Sequence, residues 1–71
     1  MTPGEARRAP SDLQLYAFGR TVRILRARHG MTQKDYAQLV GARHQHISAI
    51  ERGRVNPSLR TVHAMAGALG L

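Results

Sequence analysis

The stretch from Gln33 to Arg52, QKDYAQLVGARHQHISAIER, constrains the fold more than any other part of the chain. Ala37 stands one turn into a short segment, small enough to let a second helix cross closely. Gly41 follows Leu39-Val40, where a chain leaving a helix needs a left-handed residue that glycine accepts at little cost. Ile47 and Ile50 then recur at i, i+3 on a second segment, on the side that would meet Tyr36 and Val40. Two short helices joined by a tight glycine turn form a platform that presents the outer face of the second to a DNA major groove. That face reads Arg43, His44, Gln45, Ser48, Ala49 and Arg52, polar, basic and rich in donors for base edges.

The remaining composition agrees with a polyanionic partner. A chain of 71 residues has room for one domain with a single small core. Its 11 basic residues, all arginine except Lys34, stand against 4 acidic ones, giving a net charge of +7. Such self-repulsion, with a pI near 11.6, is the footprint of nucleic acid binding. An anionic membrane is the rival, but no apolar run approaches the roughly 20 residues of a spanning helix. Met1 to Pro10 has no apolar stretch after its charges, so no secretory leader is expected, and a cytoplasmic protein fits best. With no cysteine there are no disulfides or thiolate zinc sites, and the core must form by packing alone.

Along the chain, residues 1–11 hold two prolines, a glycine and the pair Arg7-Arg8 without periodicity, and read as a flexible basic arm. Ser11 with Gln14 is a capping-box pair, so a domain covering 12–71 should open with a helix near Asp12. Leu15, Phe18, Val22 and Leu25 mark one face of that helix, which should end at Gly30. Thr32 caps a second helix over Gln33 to Val40, and a third should run from about Arg43 to Arg52, stopped by Gly53. After a loop at Arg54 to Pro57, Ser58 caps a fourth, with Leu59, Val62, Met65, Ala66 and Leu69 as its apolar positions. The fold class is all-α: a four-helix bundle containing a helix-turn-helix, with a disordered N-terminal arm.

The run from Gly30 to Val62, GMTQKDYAQLVGARHQHISAIERGRVNPSLRTV, resembles the Cro/phage-repressor (XRE-type) helix-turn-helix domain. Met31-Thr32-Gln33 before the turn, and Glu51-Arg52-Gly53 then Asn56-Pro57-Ser58 after it, make the match specific. Phe18-Gly19, Val22-Arg23 and Leu25-Arg26 in the first helix match as well. The resemblance implies a phage-repressor-like bundle that binds operator DNA and regulates transcription, usually as a dimer. It implies that Gln33 contacts a DNA phosphate, consistent with the affinity of a helix N-terminus for anions. It places His44 and Gln45 at the principal base-reading positions, Arg43 beside them, and Ala49 at a third reading position one turn on. Arg52, Arg54 and Asn56 match the phosphate-contacting loop, and Arg26 with Glu51 a buried structural ion pair. Leu39 departs from the family by putting an apolar residue at a site that is usually polar. Many relatives continue into a fifth, dimerising helix beyond the position of Leu71.

Each functional reading has a plainer competitor. Arg43 can grip guanine through its bidentate fork and Gln45 can read adenine in the same way; Ser48 suits a phosphate or base, and Ala49 a thymine methyl. The alternative is a solvated polar face. Arg7 and Arg8 suit a minor-groove arm, though a solubilising tail is the commoner outcome. Two of the four histidines, His44 and His46, diverge by about 200° on a helix and cannot chelate together. His29 falls at a helix C-terminus, where it complements the dipole, and His63 on the polar side of the fourth helix. The carboxylates do not pair and no nucleophile motif is present, so neither catalysis, metal nor cofactor is expected. An RNA-binding role is disfavoured by the scarcity of aromatic residues free to stack, since Tyr16, Phe18 and Tyr36 are the only ones.

The expectation is a sequence-specific regulator of double-stranded DNA, a repressor, that inserts its third helix into the major groove. The alternative is the antitoxin of a toxin–antitoxin pair, binding a toxin protein and its own promoter. A homodimer that is weak in solution is expected on DNA. Its surface would be the end of the fourth helix, Met65 to Leu71, where Leu69 and Leu71 would otherwise meet water. The competing surface is a second apolar stripe, Leu13, Tyr16, Ala17 and Ile24.

Overall fold

The computed structural model describes residues 11–71. Among them are four α-helices, α1 (Asp12–Arg28), α2 (Gln33–Val40), α3 (His44–Glu51) and α4 (Leu59–Ala68), and no strand. The expected arm at residues 1–11, with Arg7 and Arg8, lies outside the described residues apart from Ser11.

Local chemistry sets the ends of these helices. At α1 the Ser11 hydroxyl accepts from the Gln14 backbone N–H, and the Gln14 side chain accepts from the Ser11 N–H at 2.8 Å. Thr32 and Asp35 form the same reciprocal cap on α2, and Ser58 accepts from the Thr61 N–H at α4. Each cap satisfies backbone donors that a helix start leaves without partners. The α1 helix ends at Arg28 rather than Gly30: His29 is its C-cap, and Gly30 takes the left-handed turn beyond it at φ 69°. Gly41 closes α2 at φ 79°, the conformation expected of the turn. The α3 helix is one residue shorter at each end than expected, with Arg43 and Arg52 as its caps.

The centre of the core is Tyr36, Ile47, Ile50 and Met65, each less than 2% exposed. Val22, Ala37 and Leu69 complete it, with Phe18, Leu25 and Val40 packed against it. Fully burying a side chain of the size of Ile or Met contributes about 1.5–3 kcal/mol, so four such centres are a large share of the stability of so small a domain. Tyr36 also satisfies its hydroxyl, which donates to the Met65 carbonyl at 2.8 Å and so ties α2 to α4.

The closest helix crossing is at Gly19 of α1. A Cβ there would overlap the Ile50 carbonyl oxygen and stand 2.7 Å from that of Glu51, so α1 can lie against the end of α3 only because residue 19 has no side chain. Gly53, at φ 70°, is held as tightly: a Cβ would come within 2.7 Å of the Tyr16 Cα. Ala37, assigned by its small size to a close crossing, is buried in the core at 3% exposure.

The fourth helix corrects two expectations. Leu69, expected to meet water, is 7% exposed and belongs to the core. Leu59, expected on the apolar face, is 84% exposed, because it is the first residue of α4 and points off the bundle. The main partner of α4 is α2, which leaves an apolar groove towards α1 lined by Phe18, Val22, Leu25, Val62, Met65 and Leu69. The second stripe of α1 is exposed as expected, with Leu13, Tyr16 and Ile24 all open to solvent.

Candidate nucleic-acid interface

The turn between α2 and α3 has two residues besides its glycine, Ala42 and Arg43. The Gly41 and Ala42 N–H groups both donate to the Ala37 carbonyl, at 2.9 and 3.0 Å, closing α2 against the turn. Half-buried Ala42 packs on the core, and the chain re-enters helix at once. Ile47 and Ile50 are therefore buried while Arg43, His44 and Gln45 stand exposed on the opposite side. Arg43 provides no side-chain cap for α3, unlike Ser11, Thr32 and Ser58 at the other helices. The first N–H groups of α3 thus have no side-chain cap, an arrangement that favours an anion such as a DNA phosphate.

Behind this face lies the ion pair expected from the sequence. Arg26 Nε donates to Glu51 Oε2 at 2.6 Å and Nη2 to Oε1 at 3.0 Å, a bidentate geometry. Arg26 Nη1 donates to the Met31 carbonyl at 2.8 Å, so one guanidinium joins α1, α3 and the α1–α2 turn. The Glu51 side chain is 2% exposed and that of Arg26 14%. The hydrogen bonds to Glu51 raise the Arg26 pKa above its already high ordinary value, so it remains a cation. Burial first, and the Glu51 charge second, push the Tyr36 phenol up to about 12. Exposed Asp35 is shifted down, chiefly by the Thr32 backbone N–H and then by the Thr32 hydroxyl.

Gln33 connects the ion pair to the exposed face, a role that the sequence did not disclose. Its Nε2 donates to Glu51 Oε1 at 3.1 Å, and its Oε1 lies 3.1 Å from His44 Nε2. The side chain expected to meet a phosphate is thus half-buried and engaged inside the protein. Its partners are 18 and 11 residues away along the chain, so no local pattern marks the contact.

The other expected residues are distributed as follows. Gln45, Arg52, Arg54 and Asn56 are exposed, whereas Ser48 and Ala49 are half-buried. The Arg52 N–H donates to the Ser48 carbonyl and the Arg54 N–H to that of Ala49, folding the loop back onto the end of α3. Asn56 lies at the far end of this loop beside Gln14 and Leu15 of α1. His46, which the sequence set apart from His44 by helical angle, is half-buried. His29 Nδ1 lies 2.8 Å from the Leu25 carbonyl at the end of α1, and His63 is exposed. No group of three potential metal ligands occurs among the described residues.

A family model for the helix-turn-helix domain matches residues 17–71. The chain belongs to this helix-turn-helix family. It is 44% identical over 45 residues to an HTH-type transcriptional regulator of Archaeoglobus fulgidus, covering 63% of this chain and 64% of that protein. It is 38% identical over 53 residues to the immunity repressor protein of Bacillus phage phi105, covering 75% of this chain and 37% of the repressor. The chain thus spans less than two thirds of the length of either of these curated relatives. The crystal structure of the restriction-modification controller protein C.AhdI from Aeromonas hydrophila superposes with a TM-score of 0.82 at 34% identity, over 83% of this chain and 89% of that one. The all-α phage-repressor-like architecture expected from the sequence is therefore the observed one. No helix among the described residues is long and apolar enough to cross a membrane.

Proposed function

We propose that this helix-turn-helix domain binds double-stranded DNA sequence-specifically and represses transcription, with α3 inserted in the major groove. The observation that carries this reading is the exposed row Arg43, His44 and Gln45 on a helix whose other side is anchored by Ile47, Ile50 and the Arg26–Glu51 pair. A rigid helix with donors and acceptors on its outer face is what base readout needs. The net charge of +7 supplies the sequence-independent attraction to phosphates.

In this reading Arg43, His44 and Gln45 contact base edges, and Ser48 and Ala49 line the groove one turn on. Arg52, Arg54 and Asn56 meet phosphates from the loop. Gln33 serves chiefly by bracing His44, leaving its backbone at the start of α2 for the phosphate. The protein acts in the cytoplasm, and two chains occupy one operator, since a single α3 spans only one half-site. The names of the regulator, the repressor and the controller protein support regulation of transcription, and none of them favours a toxin as partner.

Selection of binding sites from a random pool of duplex DNA tests the proposal. The expected result is an enriched motif with two inverted half-sites. A pool that stays unenriched at low salt would overturn it and turn attention to a protein partner.

A further inference from the structure

The hydrogen-bond chain that ends at His44 has a direction, and it is imposed from Arg26. A guanidinium only donates, and Glu51 receives it at both carboxylate oxygens. Glu51 Oε1 also lies 3.1 Å from the Gln33 amide, and an acceptor there requires the NH2 end of that amide. The carbonyl end is then the one facing His44, 3.1 Å from Nε2. Because a carbonyl only accepts, Nε2 must carry the hydrogen. A neutral imidazole has one N–H, so Nδ1 is left with its lone pair. The ring is exposed, and Nδ1 takes no hydrogen bond from the described residues.

We propose that Arg26, Glu51 and Gln33 form a relay that fixes the tautomer of His44, making its Nδ1 a hydrogen-bond acceptor on the DNA-facing side of α3. The occupant that matches is the exocyclic amino group of adenine or cytosine in the major groove. Gln33 is a positioning residue here: it acts on DNA through His44. The base-reading half rests on the function proposed above; the tautomer is a property of the free protein.

Two measurements on the full chain test this. Long-range proton–nitrogen NMR at about pH 8.5, where imidazole is neutral, should show His44 as the Nε2–H tautomer alone. Gln33→Ala should return the ring to a mixture. A mixed or Nδ1–H ring in the unaltered protein, or no change in Gln33→Ala, would overturn the relay. Binding-site selection should then be run on the unaltered protein, on Gln33→Ala and on His44→Ala. At the base pair that His44→Ala relaxes, the unaltered protein should prefer adenine or cytosine several-fold, and Gln33→Ala should weaken that preference. A preference for guanine or thymine there, or a motif that His44→Ala leaves unchanged, would refute the base-reading half. An unenriched pool would sink the DNA reading itself, with the spectra still deciding the relay.

Discussion

At the residue scale, the buried polar groups carry the sharpest consequences. Glu51 accepts from Arg26 and from Gln33 with its side chain almost wholly out of water. Glu51→Gln would leave the Arg26 cation without its counter-charge, at an expected cost of about 3–5 kcal/mol. Thermal unfolding checks this, and an unchanged melting temperature would contradict the buried geometry. Tyr36 supplies a pH signature. Its pKa rises from an ordinary value of 10.0 to about 12 in the folded protein, so folding favours the neutral phenol. Its contribution is fully present below pH 10 and is lost as pH rises through about 12. Alkaline denaturation followed by circular dichroism should therefore show stability falling across that window, and Tyr36→Phe should flatten the fall. For base contacts, Gln45→Ala should cost about 1–3 kcal/mol at one base pair while leaving random DNA almost unaffected. Arg54→Ala should weaken all sequences alike and reduce the salt slope by about one unit. Titrations on operator and random DNA separate the two roles; equal losses on both for Gln45→Ala would make it a positioning residue.

At the scale of helices, two glycines inside helices make opposite predictions. Gly19 is pressed against the Ile50 and Glu51 carbonyls, which are backbone and cannot rotate away. Gly19→Ala should destabilise by about 1–3 kcal/mol through overpacking, despite a gain in helix propensity of up to about 1 kcal/mol. Gly67 in α4 has nothing near the position of a Cβ. Gly67→Ala should stabilise by about 0.4–1 kcal/mol, chiefly by restricting the unfolded chain. Urea denaturation of the two variants decides both, and a neutral Gly19→Ala would show that α1 can move off α3. An isolated glycine in an apolar-periodic helix is itself a signal of close packing, but its partner lies more than 30 positions on in the sequence.

At the scale of the whole molecule, the proposed function brings two chains onto one operator. Half-sites read by one helix each lie about 34 Å apart, which requires a twofold pair. The surface expected at the end of α4 is reduced, because Leu69 faces the core and only Leu71, at 81% exposure, remains for a partner. The α1 stripe offers Leu13, Tyr16 and Ile24. Sedimentation should find the free protein monomeric and two chains on a palindromic operator. Leu71→Asp and Ile24→Asp then distinguish the surfaces by which one abolishes cooperative binding. Leu69→Asp is expected to unfold the chain instead. Saturation of the operator by a single chain would refute pairing.

What the sequence determined by itself was local. Ser11 with Gln14, Thr32, Gly41 and Ser58 marked helix boundaries because capping and left-handed turns are properties of a few adjacent residues. The spacing of Ile47 and Ile50 placed the outer face of α3 because helical periodicity fixes which residues share a side. The Arg26–Glu51 pair was legible only through family resemblance, its members standing 25 residues apart. Tertiary structure alone decided the rest. It turned Gln33 inward to bridge Glu51 and His44, drew Leu69 into the core while leaving Leu59 in water, and made Gly19 the crossing point of α1 and α3. Each of these depends on how helices distant in sequence pack together, and neither periodicity nor capping carries that information.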